Sequence, residues 1–204
     1  MTLTQSLLLI AVLIAASAFF SLAEITLAAA RRLRLRQLAD DGDARAAKVM
    51  QIQEQPGHYF TVVQIGLNAI AILGGVVGEG ALTPYFAQLF EWWMEPVLAQ
   101  RLAFAASFVF VVSVFLVFAD LFPKRLGMNA PEQVAMRLVG PMQVCITVLK
   151  PLVWLFMRST DALFKVLGLP TQREDTITSA DILAMTEAGA KAGVLAAQEQ
   201  QVIA

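Results

Sequence analysis

The sequence contains one cysteine, one histidine and few charged residues. A single cysteine excludes an intrachain disulfide, and one cysteine with one histidine excludes a zinc site built from several such ligands. Charged residues make up 15% of the chain and hydrophobic residues 58%, above the roughly 45–50% of soluble domains. No G-x-x-x-x-G-K-[ST] phosphate-binding motif is present, and a net charge of −1 gives no indication of a nucleic-acid partner. This composition predicts a protein of the lipid bilayer.

Long uncharged runs predict three transmembrane helices, at about residues 3–30, 59–78 and 102–121. The N-terminus lacks the basic region of a signal peptide, so we expect the first run to be a retained span. A cytoplasmic loop after this span places the N-terminus outside and the C-terminus in the cytoplasm, in a multi-pass protein of the cell (inner) membrane. The basic residues that indicate this orientation are Arg31, Arg32, Arg34, Arg36, Arg45 and Lys48.

Two other regions predict amphipathic helices at the cytoplasmic membrane surface, at about residues 31–57 and 131–169. The second region is apolar but is interrupted at Gly140-Pro141 and Lys150-Pro151, and a fourth span is the alternative for it. The predicted fold class is therefore an all-α membrane protein with three transmembrane helices plus cytoplasmic juxtamembrane amphipathic helices.

The composition becomes that of a soluble segment after Pro170. Residues 1–170 are thus predicted to form a transmembrane domain, and residues 171–204 a cytoplasmic helical linker. Thr178 with Asp181 resembles a helix-capping box, and the helical pattern continues to Ala204. We expect a soluble domain to follow.

The first span carries two hydroxyls and a carboxylate on one face. Ser17, Ser21 and Glu24 are spaced i, i+4 and i+7, so their oxygens form one stripe along the helix. An ionisable group within a span costs roughly 2.5–3.5 kcal/mol even on a lenient insertion scale. A bound hard cation is a partner that would offset this cost, which makes the stripe a candidate metal site.

The second and third spans add further oxygen atoms. Asn68 lies in a glycine-rich helix, where local unwinding at Gly66 would free a carbonyl oxygen to line a cavity. An interhelical hydrogen bond is the alternative role for Asn68. Asp120 precedes Pro123, which is expected to end or kink the third helix, and an i, i+4 ion pair with Lys124 is the alternative role for this carboxylate.

Three motifs carry a resemblance to a known family: Ser21–Thr26 followed by Arg31-Arg32, then Gln64–Asn68, then Ala119–Lys124. They resemble the transmembrane domain of the CorC and cyclin-M (CNNM) magnesium transporters. Residues 178–204 are similar to the segment that leads into the cytoplasmic CBS-pair domain of that family. Nearly the whole chain is covered, with one departure, because members more often have Gly-Glu where this chain has Ala119-Asp120.

The resemblance implies a homodimer that exports Mg2+ in exchange for Na+. It assigns the ion-site serine and asparagine of the family to Ser21 and Asn68, and its acidic positions to Glu24 and Asp120. The residues and the resemblance together predict Mg2+ as the transported substrate, Na+ as the coupling ion, and a metal site formed by Ser17, Ser21, Glu24, Gly66, Asn68 and Asp120.

Other function classes compete with this hypothesis. A membrane sensor or scaffold that binds Mg2+ and signals to a cytoplasmic domain is the main alternative, and a channel is a further one. An intramembrane serine hydrolase is disfavoured, because His58 lies at a membrane edge and no lysine interrupts the predicted spans to act as a base. We therefore expect the chain not to be an enzyme.

Overall fold

A computed structural model describes residues 2–54 and 56–168. This part of the chain is helical and contains no strand, which confirms the all-α prediction. The helices are α1 (Leu3–Ala29), α2 (Arg32–Asp40), α3 (Ala44–Glu54), α4 (Pro56–Phe90), α5 (Pro96–Phe115), a π-helical segment (Leu116–Leu121), α6 (Phe122–Asn129) and α7 (Pro131–Val166).

Helix α1 confirms the first predicted span. It begins with a capping box, in which the Thr2 hydroxyl accepts from the Gln5 amide N–H and the Gln5 side chain accepts from the Thr2 amide N–H. Apart from Leu27, its buried residues are small or hydroxylated, among them Ser17, Ser21 and Ala23. Small side chains allow the backbone of a neighbouring helix to approach closely. Helix α1 accordingly packs against α4 on one side and against α6 and the π segment on the other.

The region after α1 forms two short helices, α2 and α3, as the sequence predicted. Gly42, with φ of +97°, forms the turn between them, a conformation that glycine adopts at little cost. Asp43 then accepts a hydrogen bond from the Arg45 amide N–H at 2.9 Å, and the hydrogen bond from the Arg45 guanidinium lowers the pKa of Asp43 below its ordinary value. The position of these helices at a membrane surface stays a prediction.

Helix α4 extends beyond the predicted span, which was expected to give way to a connection at Glu79. The helix instead continues to Phe90. A charged residue limits an apolar run but not a helix, and the Glu79 carboxylate accepts a hydrogen bond from Thr83 one turn later. Only residues 91–95 connect α4 to α5. The side chains of Trp92 and Trp93 are strongly exposed in this short turn.

Pro123 distorts the third long helix but does not end it. The chain is helical from Pro96 to Asn129, with the π segment directly before the proline. The Phe122 amide N–H bonds to the Val117 carbonyl, five residues back instead of four. A proline ring clashes with the carbonyl of the residue four positions earlier, here Ala119, and we infer that the wider π turn relieves this clash.

The sequence predicted that the helical region at residues 131–169 would be interrupted at Gly140-Pro141 and Lys150-Pro151, and this prediction was wrong. Residues Pro131–Val166 form one helix that continues through Pro141 and Pro151. Each proline removes a single backbone hydrogen bond, and the turns on either side keep theirs. By length and composition, four described helices can therefore cross a bilayer instead of the three predicted. The predicted linker at residues 171–204 lies outside the described residues.

Candidate functional site

A cavity of about 410 Å³ lies between α1, α4 and the helix formed by α5, the π segment and α6. Its polar lining comes from all three of these elements. Its apolar lining comes from α4, α5 and the π segment. The lining residues are Ser17, Glu24, Gln64, Leu67, Asn68, Ala71, Gly75, Val111, Val112, Phe115, Leu116, Ala119, Asp120 and Lys124.

The two carboxylates of this cavity are bridged by a lysine. Lys124 Nζ lies 2.8 Å from Asp120 Oδ1 and 3.1 Å from Glu24 Oε2. Both distances are in the range of charge-assisted hydrogen bonds, which are stronger than neutral ones. The i, i+4 pair that the sequence offered as the alternative role for Asp120 is thus present, and Glu24 from another helix joins it.

Two neutral side chains complete the polar network. The Ser21 hydroxyl donates to Asp120 Oδ1 at 2.6 Å, and Gln64 Nε2 donates to Glu24 Oε1 at 3.1 Å. Each carboxylate is therefore held from two directions, once by Lys124 and once by a neutral donor. The two neutral donors come from α1 and α4, so the carboxylates have hydrogen-bond partners besides Lys124.

Close helix packing places these groups together. A Cβ atom added to Gly78 would lie 2.6 Å from Val111 Cγ1, so only glycine lets α4 approach α5 this closely. Likewise, a Cβ on Gly66 would lie 2.6 Å from the ring of Phe20 on α1. The glycine-rich sequence of α4 therefore serves the contacts on both of its sides.

The structure brings most of the predicted ligands to one place. Ser17, Glu24, Asn68 and Asp120 line the cavity. Ser21 is fully buried beside it and reaches it through its hydrogen bond to Asp120. Gly66 does not line the cavity, and α4 is unbroken there.

Sequence reasoning missed two members of the site, Gln64 and Lys124. Gln64 lies one helical turn before Asn68, and this spacing was an available signal. Lys124 was considered as an ion-pair partner of Asp120 and as part of a family motif, but not as a member of the cation site. No sequence feature indicated that its ammonium group would also reach Glu24, because that contact depends on how α1 packs against α6.

Carboxylate, amide and hydroxyl oxygens are the groups that bind hard cations or ammonium groups. Within the described ranges, no three histidine, cysteine, aspartate or glutamate side chains come together as a metal cluster. The site therefore combines a small anionic end with neutral polar groups and an apolar wall.

Comparison with known families identifies the family of this chain. Residues 8–199 match the cyclin M transmembrane N-terminal domain. The chain belongs to this family. The resemblance of the three motifs to CNNM proteins is thereby confirmed, and the chain is a multi-pass membrane domain of this family.

Several curated proteins are similar to this cyclin M domain. It is 52% identical to the polyamine export protein of Escherichia coli (strain K12) over 199 residues, covering 98% of this chain and 44% of the relative. It is 46% identical to the polyamine export protein of Haemophilus influenzae over 203 residues, covering 100% of this chain and 47% of the relative. A UPF0053 protein of Synechocystis sp. is 32% identical over 200 residues, or 97% of this chain and 44% of the relative. The chain thus spans about half the length of the curated relatives it matches.

Proposed function

We propose that this domain exports small organic cations of the linear polyamine type through the cavity between α1, α4 and α5. The observation that carries the proposal is the primary ammonium of Lys124, which lies between the carboxylates of Glu24 and Asp120. An alkyl chain with a terminal ammonium group is the chemistry of a polyamine. The site already holds such a group, supplied by the protein itself.

The apolar wall suits the methylene chain of such a substrate. Val111, Val112, Phe115 and Leu116 line the cavity opposite the polar groups of α1. Small-molecule sites are mostly apolar with a few placed polar groups, and they have volumes of about 300–1,000 Å³. A cavity of about 410 Å³ falls in this range.

The names of relatives support the same substrate class. Curated proteins at 52% and 46% identity are named polyamine export proteins. The matched regions cover 98% and 100% of the present chain. We therefore extend export of a polyamine from those proteins to this one as part of the proposal.

Coupling to Na+ entry and assembly as a homodimer, both implied by the resemblance to CNNM transporters, are part of the proposal. Export of a dication against an inside-negative potential costs about 4.6 kcal/mol per 100 mV, at about 2.3 kcal/mol per charge. A transporter therefore needs a second ion that moves downhill. Serine hydroxyls and carboxylates of the kind found in the cavity also suit Na+.

Mg2+ is the second candidate substrate, and the oxygen atoms of Ser17, Glu24, Asn68 and Asp120 favour it, because they line one cavity. Mg2+ prefers six oxygen ligands and gives up water reluctantly. The Lys124 ammonium must be displaced by either cation, but its contacts with both carboxylates have the geometry of an ammonium site, which favours the polyamine as the first candidate. A Mg2+-binding sensor or scaffold is the alternative that involves no transport.

Transport into proteoliposomes tests these candidates. Purified protein is reconstituted, a Na+ gradient is imposed, and movement of radiolabelled 1,4-diaminobutane and of Mg2+ is measured separately against protein-free liposomes. We expect Na+-dependent movement of the diamine that Asp120→Asn reduces and that Glu91→Gln, in the turn after α4, leaves unchanged. Movement of Mg2+ alone would assign the metal as substrate. Binding without movement of either cation would assign a sensor.

A further inference from the structure

We propose that Lys124 is a tethered competitor of the transported cation. Its ammonium occupies the carboxylate subsite when the cavity is empty, leaves when a cation binds, and returns when the cation is released. This inference rests on the proposed function and deepens it, because it names the residue that sets cation affinity and drives release.

The geometry shows one ammonium shared by anions of two different helices. Lys124 Nζ is 2.8 Å from Asp120 Oδ1 on its own helix and 3.1 Å from Glu24 Oε2 on α1. A substrate ammonium that binds the same two oxygens cannot do so while Nζ is there. Binding therefore requires exchange of one ammonium for another.

A local ion pair within one helix explains the contact between Lys124 and Asp120 but not the contact between Lys124 and Glu24. An aspartate and a lysine four residues apart on a helix form an ordinary surface pair, and such a pair needs no function. Here the pair also reaches Glu24, and all three side chains line the cavity. The neighbouring Arg125 is exposed and does not line the cavity. A basic residue at this end of the helix therefore does not reach the cavity merely because of its place in the sequence.

The lysine can leave without loss of the surrounding structure. Its side chain is 32% exposed and has a flexible four-carbon stem, so the ammonium can move while the backbone stays in place. After it leaves, Asp120 keeps its hydrogen bond from Ser21, and Glu24 keeps its hydrogen bond from Gln64. Both carboxylates therefore remain positioned for the incoming cation.

Removal of the competitor has opposite effects on binding and on turnover. In Lys124→Met the stem is nearly retained and the charge is lost, so we expect cations to bind roughly tenfold more tightly at the two carboxylates. Release then lacks the returning ammonium and becomes slower. The KM and the maximal rate of transport should both fall, whereas a purely structural lysine would lower the Tm and weaken binding.

Four versions of the protein test this inference: wild type, Lys124→Met, Lys124→Arg and Arg125→Met. Arg125→Met is the matched control, because it removes the same charge from the next residue on the same helix. Binding of 1,4-diaminobutane and, separately, of Mg2+ is measured by calorimetry in detergent. Thermal unfolding and proteoliposome transport are measured on the same preparations.

Tighter diamine binding with a lower maximal rate in Lys124→Met, and not in Arg125→Met, would support the inference. Equal affinities in these two variants would overturn it. If Lys124→Met does not fold, Lys124→Arg decides, because a guanidinium donates to both carboxylates at once and should weaken cation binding several-fold. Unchanged or tighter binding in Lys124→Arg would then refute the competition.

The proposed function can fail separately from this inference. If wild-type protein moves no diamine, the polyamine assignment is wrong, and the Mg2+ titrations then decide the role of Lys124. Competition by a tethered ammonium acts against any cation at these carboxylates. Tighter Mg2+ binding in Lys124→Met than in Arg125→Met would support it, and equal binding would overturn it.

Discussion

The Ser21 hydroxyl lies 2.6 Å from Asp120 Oδ1, although the two residues are 99 positions apart in the chain. Ser21 is fully buried on α1, and Asp120 lies in the π segment of the third long helix. The hydrogen bond therefore joins two helices at the edge of the cavity and fixes the orientation of the carboxylate. Ser21 thus contacts a cavity carboxylate directly and does more than fill space between the helices.

Ser21→Ala should lower transport several-fold and the free energy of unfolding by about 1 kcal/mol, the usual net value of one hydrogen bond. The change leaves Asp120 with Lys124 as its remaining partner, so the carboxylate orientation becomes less defined. Proteoliposome transport and thermal unfolding measure the two effects. Ser113→Ala is the control, because Ser113 is exposed and its hydroxyl donates to the Val109 carbonyl of its own helix. Equal behaviour of the two variants would rule out a special role for Ser21.

Glu24→Gln should reduce cation binding at least about tenfold, because one of the two anionic partners of the substrate becomes neutral. The amide keeps the size of the carboxylate and a carbonyl oxygen that Gln64 can still donate to. The fold should therefore be retained, and calorimetric binding of 1,4-diaminobutane should show the loss. Glu91→Gln, in the turn outside the cavity, serves as the charge-matched control. A Glu24→Gln protein with wild-type affinity would remove Glu24 from the site.

Part of this architecture could be predicted from the sequence and part could not. The spacing of Ser17, Ser21 and Glu24 alone indicates one polar stripe, because helix periodicity is local. The contact between Gln64 and Glu24 depends on how α1 and α4 pack, which spacing within either helix does not determine. The second predicted span ended before Glu79, whereas α4 continues to Phe90, because a charged residue ends an apolar run without ending a helix.

The structural effects of individual proline and glycine residues also could not be predicted from the sequence alone. Pro123 predicted a break or a kink, but the helix continues past it, with the π segment directly before the proline. Pro141 and Pro151 predicted interruptions, and α7 continues through both. Gly66 was predicted to allow local unwinding, whereas α4 is unbroken there and the ring of Phe20 packs against it. Only the neighbouring helix decides between such roles.

Gly78→Ala should lower the free energy of unfolding by about 1–3 kcal/mol, since overpacking in a close helix contact costs this much. The new methyl group would lie 2.6 Å from a methyl of Val111, which is buried and stiff at its branched Cβ. Thermal unfolding in detergent measures the loss. Gly80→Ala is the matched control two residues away, because nothing lies within 4 Å of its added Cβ. The double variant Gly78→Ala with Val111→Ala should recover part of the loss, and no recovery would place the strain elsewhere.

Glu132→Ala should destabilise the protein by about 1–2 kcal/mol, because it removes the buried acceptor of two hydrogen bonds from Arg31, whose own side chain is largely exposed. Glu132 accepts from the Arg31 amide N–H at 3.2 Å and from Arg31 Nε at 3.3 Å, which ties the start of α7 to the junction between α1 and α2. Glu54→Ala is the comparison, since its ion pair with Arg32 is exposed on both sides and should contribute at most about 1 kcal/mol. Denaturant or thermal unfolding of both variants gives the contrast, and equal losses would contradict this role for Glu132.

Asn68→Ala separates a ligand role from a structural one. Asn68 lines the cavity on α4, and its side-chain amide forms no hydrogen bond with any other residue in the described ranges, so the interhelical role is not seen there. We therefore expect the KM for the transported cation to rise roughly fivefold to tenfold, the value of one hydrogen bond of about 1–1.5 kcal/mol, while the Tm stays unchanged. Asn129→Ala, at the exposed end of α6, is the control and should change neither quantity. A lower Tm with an unchanged KM would mean that Asn68 supports helix packing. Asn68 would then not be a ligand of the transported cation.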